Sequence, residues 1–139
     1  MPEGHGDLAR AELLTPAERT QCVVITDPSL PDNPIIFVSD EFEAQTGYPP
    51  EETLGRNCRF LQGRDTDPAA VEAIRRALRE EAELTVDILN YRRDGTPFWN
   101  RLRIRPLRGD DGRTMFYAGA QNPIDESEVR RGPIDAIED

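Results

Sequence analysis

The chain has 139 residues, and its 27 acidic and 17 basic side chains leave a net charge of −10. That length suits one domain with its own core. The acidic balance disfavours nucleic acid and anionic membranes as partners, and no apolar run approaches the ~20 residues of a membrane span.

Residues 1–6 are expected to be disordered, and residues 7–14 read as a short helix with Leu8 and Leu13 or Leu14 as its apolar stripe. Thr15-Pro16-Ala17-Glu18 is a capping-box pattern with proline at the first helical position. Together residues 1–21 form an N-terminal helical cap, either a cover for the sheet or a dimer contact. Residues 22–26 are a β-branched strand. Residues 27–34 hold three prolines and read as a loop, and residues 35–38 as a second strand. Ser39 or Asp40 opens a short helix ending near Gly47, and Pro49-Pro50-Glu51-Glu52 starts another turn. Asp67-Pro68 opens the main helix, which runs to about Ala82 with Val71, Ile74 and Leu78 on one face. Three strands follow at residues 84–92, at 98 to about 105, and at 114–121. Asp94-Gly95 turns the first pair and Asp110-Asp111-Gly112 the second. This order predicts an α+β domain over residues 22–123: a five-stranded antiparallel sheet with short helices on one face. Residues 124–139 are an acidic C-terminal extension broken by Gly132-Pro133, too short for an output domain.

Between the short helices and the main one lies Gly55-Arg56-Asn57-Cys58-Arg59-Phe60-Leu61-Gln62-Gly63. It crowds a thiol, two amides and fixed positive charge into one or two turns. A core has no use for that mixture, since buried polar groups cost free energy unless paired.

Strand alternation raises a second anomaly. Phe98, Asn100, Leu102 and Ile104 share one face, opposite the solvent-directed Trp99, Arg101, Arg103 and Arg105. Val86, Ile88 and Asn90 share a face on the strand before. Met115, Tyr117, Gly119 and Gln121 do so on the strand after. Three strands thus each turn one carboxamide toward the apolar side. The amides either satisfy one another or meet a planar ligand with donors and acceptors along one edge. Gly119 leaves room beside such a ring, and Leu61, Leu102, Ile104 and Ile74 can form its walls. Arg59 and Arg75 can grip a phosphate with two guanidinium forks, although either alone also fits a surface salt bridge.

The Gly55–Gln62 stretch closely resembles the flavin-binding motif of the light-oxygen-voltage (LOV) branch of the PAS-domain family. So do Thr26-Asp27-Pro28, Ile88-Leu89-Asn90-Tyr91, Phe98-Trp99-Asn100 and Gly119-Ala120-Gln121. The resemblance implies a PAS fold enclosing FMN and a blue-light photoreceptor in which Cys58 forms a reversible bond to the flavin. It implies that Asn57, Gln62, Asn90, Asn100 and Gln121 hold the ring and ribityl chain, and that Arg59 and Arg75 hold the phosphate. Thr26, Asn33, Leu61, Ile74, Leu78, Leu102, Ile104, Tyr117 and Gly119 complete the cofactor set, and Gln121 relays the signal. A homodimer and a further signalling protein are the implied partners. Tyr117 departs from the phenylalanine that relatives often carry, and a phenol there can donate an electron to an excited flavin.

The remaining features agree with a sensor. Without a leader pattern the default location is cytoplasmic, where Cys22 and Cys58 stay as free thiols. The single histidine, His5, argues against haem and against a metal cluster. A PAS sensor for another small molecule, a flavin-dependent oxidoreductase and a pure interaction module are the competing classes. No nicotinamide or substrate site is evident beside the ring, so no enzyme activity is expected. The chain is either a short photoreceptor or a piece of a longer protein.

Overall fold

A computed structural model describes residues 4–134 of the chain. Its seven strands are β1 (His5–Gly6), β2 (Cys22–Thr26), β3 (Ile35–Val38), β4 (Leu84–Tyr91), β5 (Pro97–Arg108), β6 (Thr114–Ile124) and β7 (Pro133–Ile134). They form one antiparallel sheet in the order β1-β3-β2-β6-β5-β4-β7. Three α-helices, α1 (Glu41–Thr46), α2 (Pro50–Thr53) and α3 (Pro68–Glu80), lie between β3 and β4. Asp67 caps α3, accepting from the Ala69 N–H at 2.9 Å, and Pro68 fills the first turn. The architecture is the α+β PAS arrangement of a sheet with a few helices on one face.

Seven strands replace the five expected because both terminal segments pair with sheet edges. His5 and Gly6 lie opposite Val38 and Phe37, so this part of the 1–6 stretch is paired strand rather than disorder. Residues 1–3 lie outside the described residues. Gly6 has φ 101°, and a Cβ there would sit 2.2 Å from the Ile36 carbonyl, so only glycine fits. At the other edge Ile134 and Pro133 pair with Thr85 and Val86 of β4. A proline is tolerated there because an edge strand has one unpaired side. Residues 135–139 of the C-terminal extension are outside the described residues.

The outer face of the sheet is not bare. Leu14, 4% exposed, packs with Val23, Ile25, Phe37, Leu107, Phe116 and Ala118. The segment before it is a 3-10 helix, Leu8–Leu13, with three residues per turn. That period aligns Ala11 with Leu14 against the sheet and turns Leu13 outward, 44% exposed; Leu8, at the far end of the row, is also exposed. The capping box forms as the sequence indicates. Thr15 N–H donates to Glu18 Oε1 at 2.8 Å, and Glu18 N–H to Thr15 Oγ1 at 3.2 Å. The segment thus packs on the outer face of the sheet through Leu14 and Ala11.

The arginines of β5 were expected to face solvent. Arg103 does, but Arg101 and Arg105 are half-buried. Each makes a two-pronged bond to a carboxylate, Arg101 to Asp87 at 2.8 and 2.9 Å and Arg105 to Glu18 at 3.0 and 2.7 Å. Charge on this face reflects paired acids as much as water.

Toward the helices the core divides in two. One cluster holds Cys22, Val24, Ile35, Val38, Phe42 and Leu61. The other gathers Ala70, Val86 and Ile88 with half-buried Val71, Ile74, Leu84 and Leu102. No described helix is long and apolar enough to cross a membrane.

Candidate functional site: a cavity between two halves of the core

A cavity opens between these clusters, with about 680 Å³ of empty space counted out to its mouth. Val24 and Leu61 line it from one cluster, and Ile74, Ile88 and Leu102 from the other. Leu78, Ile104, Tyr117 and Gly119 add to its walls.

Cys58 reaches the cavity from a 3-10 turn, Cys58–Leu61, whose start is tied by Asn57. The Asn57 Oδ1 accepts the Arg59 N–H at 3.0 Å, and its Nδ2 donates to the Asp32 carbonyl at 2.8 Å. A Cβ on Gly63, just past the turn, would meet the Tyr91 ring at 2.4 Å. Glycine lets the backbone pass that close. Burial pushes the Cys58 thiol up to about 12, so it stays protonated at neutral pH.

The three inward carboxamides meet. Asn100 Nδ2 donates to Asn90 Oδ1 at 3.0 Å and to Gln121 Oε1 at 2.6 Å. The Asn122 N–H donates to Asn100 Oδ1 at 2.9 Å. Asn90 Nδ2 donates to the Leu89 carbonyl at 3.3 Å, and Gln121 Nε2 to the Gly119 carbonyl at 3.2 Å. Both readings of these amides therefore hold in part. Asn100 spends both of its N–H groups on its neighbours and lies behind them, 1% exposed. Asn90 and Gln121 line the cavity. Each carboxamide offers two N–H groups and two lone pairs on its oxygen. Asn90 and Gln121 thus each keep one N–H and one lone pair for an occupant.

Two further polar atoms point to an occupant. Thr26 Oγ1 and Asn33 Oδ1 are buried without a hydrogen-bond partner, and both residues line the cavity. Leaving such an atom unsatisfied costs roughly 1–3 kcal/mol. A ligand with polar groups at two ends and an apolar middle relieves it. A flavin ring with a ribityl chain fits this donor set and these walls.

The structure brings together Thr26, Asn33, Asn57, Cys58, Arg59, Leu61, Gln62, Ile74, Leu78, Asn90, Leu102, Ile104, Tyr117, Gly119 and Gln121 around one cavity. Two expected residues stand off its surface, Asn100 behind the amide row and Arg75 exposed on α3. Val24, Ile88 and Ala118 also line it. Strand alternation could have supplied Val24 and Ile88, which share faces with Thr26 and Asn90. Ala118 belongs by alternation to the other face, and no sequence signal points to it. Tyr117 donates from its hydroxyl to the Leu78 carbonyl at 2.9 Å, and burial, then Glu81, raises its pKa.

Comparison with known proteins agrees with this geometry. The PAS domain family model matches residues 20–124. A blue-light-activated histidine kinase of Rhizobium johnstonii is 47% identical over 146 residues, covering 96% of this chain and 41% of that protein. The chain thus spans less than half the length of that relative. A light-oxygen-voltage domain solved in a flavin-analogue study is 51% identical, with TM-score 0.76, covering 78% of this chain and 80% of that one. The dark structure of the blue-light photoreceptor Aureochrome1 LOV gives 43% identity and TM-score 0.77, covering 91% of this chain and 89% of that one. The chain belongs to the PAS-domain family and, within it, to the light-oxygen-voltage domains.

Proposed function

We propose that this chain is a blue-light sensor that holds FMN in the cavity and uses Cys58 as its photoreactive thiol. The observation that carries the reading is the cavity itself. It combines an apolar slot, a neutral thiol, a row of amides with unused hydrogen-bonding capacity, and two orphaned polar atoms. Asn90 and Gln121 would hold the polar edge of the ring, with Asn100 fixing both from behind. Asn57, Gln62, Thr26 and Asn33 would serve the ribityl chain, and Arg59, with Arg75 nearby on α3, the phosphate. Leu61, Ile74, Leu78, Leu102, Ile104, Tyr117 and Gly119 would enclose the ring.

Bound flavin supplies blue-light absorption and an electron-poor ring. Cys58 would supply both halves of a thiol addition: Sγ for a ring carbon and its proton for the neighbouring ring nitrogen. The neutral state of the thiol keeps that proton in place. Gln121 would feel the result. Its Oε1 accepts from Asn100, and its carboxamide, with a donor and an acceptor, could rotate to match either hydrogen-bonding character of a flavin ring nitrogen beside it. Rotation would trade the Asn100 bond for another, and β6 carries the change toward the termini. This is a shift of population driven by contacts that differ between two states. The receiver would be a second copy of the chain or a separate signalling protein, in the cytoplasm. As a LOV domain the chain is a sensor.

The test is an absorption spectrum before and after a blue flash, followed in the dark. A structured flavin band that bleaches and returns is expected, and Cys58→Ser should keep the band and lose the bleaching. A Cys58→Ser protein that still bleaches and recovers would remove the thiol from the mechanism.

A further inference from the structure

Arg59 is the sole cationic side chain among the residues that line the cavity. It is already partnered. Its guanidinium holds the Asp32 carboxylate, through Nη2 and Oδ2, at the rim of the cavity. Both side chains are more than half exposed, so the pair is reached by water and by any ligand tail that leaves the cavity there.

The loop is built to present this carboxylate. Asp32 has φ 69° and Asn33 has φ 48°, two successive non-glycine residues in the left-handed region. Such a conformation persists only when its surroundings hold it. Asn57 does so, donating to the Asp32 carbonyl at 2.8 Å from the base of the Cys58 turn. Asn33, next in the chain, turns its unpartnered Oδ1 toward the same cavity. One short stretch thus delivers an acceptor for a polar chain and a counter-ion for the cation beyond it.

We propose that Asp32 sets the selectivity between phosphorylated and neutral-tailed flavins by competing with the ligand's phosphate for Arg59. The inference rests on the flavin reading above. A dianionic phosphate arriving at Arg59 meets a guanidinium whose charge is already answered, with a carboxylate beside it that repels the newcomer. Riboflavin carries the same ring and ribityl chain but ends in a hydroxyl, so it meets neither penalty. Arg75 stands exposed one position beyond Ile74 and does not line the cavity, so Arg59 is the phosphate-end cation that Asp32 engages. The cavity therefore takes riboflavin as well as FMN, and Asp32 narrows the gap between them.

The experiment is flavin loading of the full chain, wild type and Asp32→Asn, from an equimolar mixture of FMN and riboflavin, with the bound flavins separated and quantified. Separate titrations give the affinity for each. Asparagine keeps the side-chain size and tolerates left-handed backbone, so the loop is retained. The FMN-to-riboflavin ratio should rise roughly 1.5-fold to fivefold in Asp32→Asn, the range expected for an exposed ion pair. Riboflavin affinity should stay put, and the rise should shrink at high salt. In an Arg59→Gln background the same substitution should raise the ratio less, leaving only the direct repulsion between carboxylate and phosphate, and an equal rise there would overturn the competition for Arg59. An unchanged ratio in Asp32→Asn, or equal shifts for both flavins, would overturn the selectivity role while leaving the flavin site standing. Failure of the wild type to bind either flavin would overturn the site and this inference together.

Discussion

Cys58 and Cys22 carry the same thiol and the same direction of shift, each pushed up to about 12 by burial, yet only Cys58 faces the cavity. Cys22 packs with Val24, Phe42 and Leu61 as a small hydrophobe. Position, not reactivity, separates them. Tyr117 poses the same question for a phenol. It lines the cavity and also a surface groove with Asp27, Arg79 and Arg113, so it stands between the cavity and solvent. A phenol there offers an excited flavin an electron in competition with the Cys58 thiol. Tyr117→Phe is therefore expected to raise the bleaching yield per absorbed photon, at a cost of about 0.5–1.5 kcal/mol for the lost bond to Leu78. Flash photolysis and urea unfolding measure the two, and an unchanged yield would leave Tyr117 as a wall only. The inward amides were legible from strand alternation, because a polar residue on an apolar face is visible in the sequence. The Asp32–Arg59 pair was not, because it joins a loop to a turn across 27 positions and depends on a backbone conformation that composition does not announce.

Among the elements, β7 and the short 3-10 turn before it (Glu126–Glu128) depend on one carboxylate. Asp87 is buried on the outer face of β4. It takes two bonds from Arg101 and one from the Arg130 N–H at 2.8 Å, while Arg101 also donates to the Glu128 carbonyl at 3.0 Å. Burial alone would raise its pKa, but the bonds from Arg101 and the Arg130 N–H outweigh burial and hold it below the ordinary carboxylate value. A depressed folded pKa means the contribution is complete above the unfolded value, near 3.9, and is lost as pH falls through the lower folded one. The clasp should be indifferent to pH between 5 and 8, roughly, and weaken only in acid. Asp87→Asn should loosen residues 126–134 at neutral pH and abolish that acid dependence. Hydrogen exchange of the segment reports both, and wild-type protection in the variant would exclude the clasp. The long strands and α3 were readable because each carries its own period and stop signals. β1 and β7 were not: two residues have no period, and their pairing is made by backbone groups.

For the whole molecule, the cover over the outer face is the stabilising addition outside the sheet-and-helix core. Leu14 fills the centre of that cover, and Leu14→Ala should cost about 2–5 kcal/mol of unfolding free energy, read from urea denaturation. Exposed Leu13→Ala should cost far less, and equal costs would contradict the cover. The α+β class and the placement of helices on one face followed from element order alone, since a two-layer arrangement is the way to bury one face of a meander. The cover's exact register was hidden because a 3-10 row repeats every three residues, whereas an α-helical stripe was anticipated.

The strand order has a mechanical consequence. The two terminal strands close opposite edges of the same sheet, β1 at one side and β7 at the other. Six strand spacings separate them, on the order of 29 Å at about 4.8 Å each. A tether pulling on both ends would tension the interstrand hydrogen bonds in series across the width of the sheet. Each two-residue edge would peel before its neighbour, as a zipper opens. Force applied through the termini would thus strip the margins first and reach β2, β6, β5 and β4, which frame the cavity, only after both edges had gone.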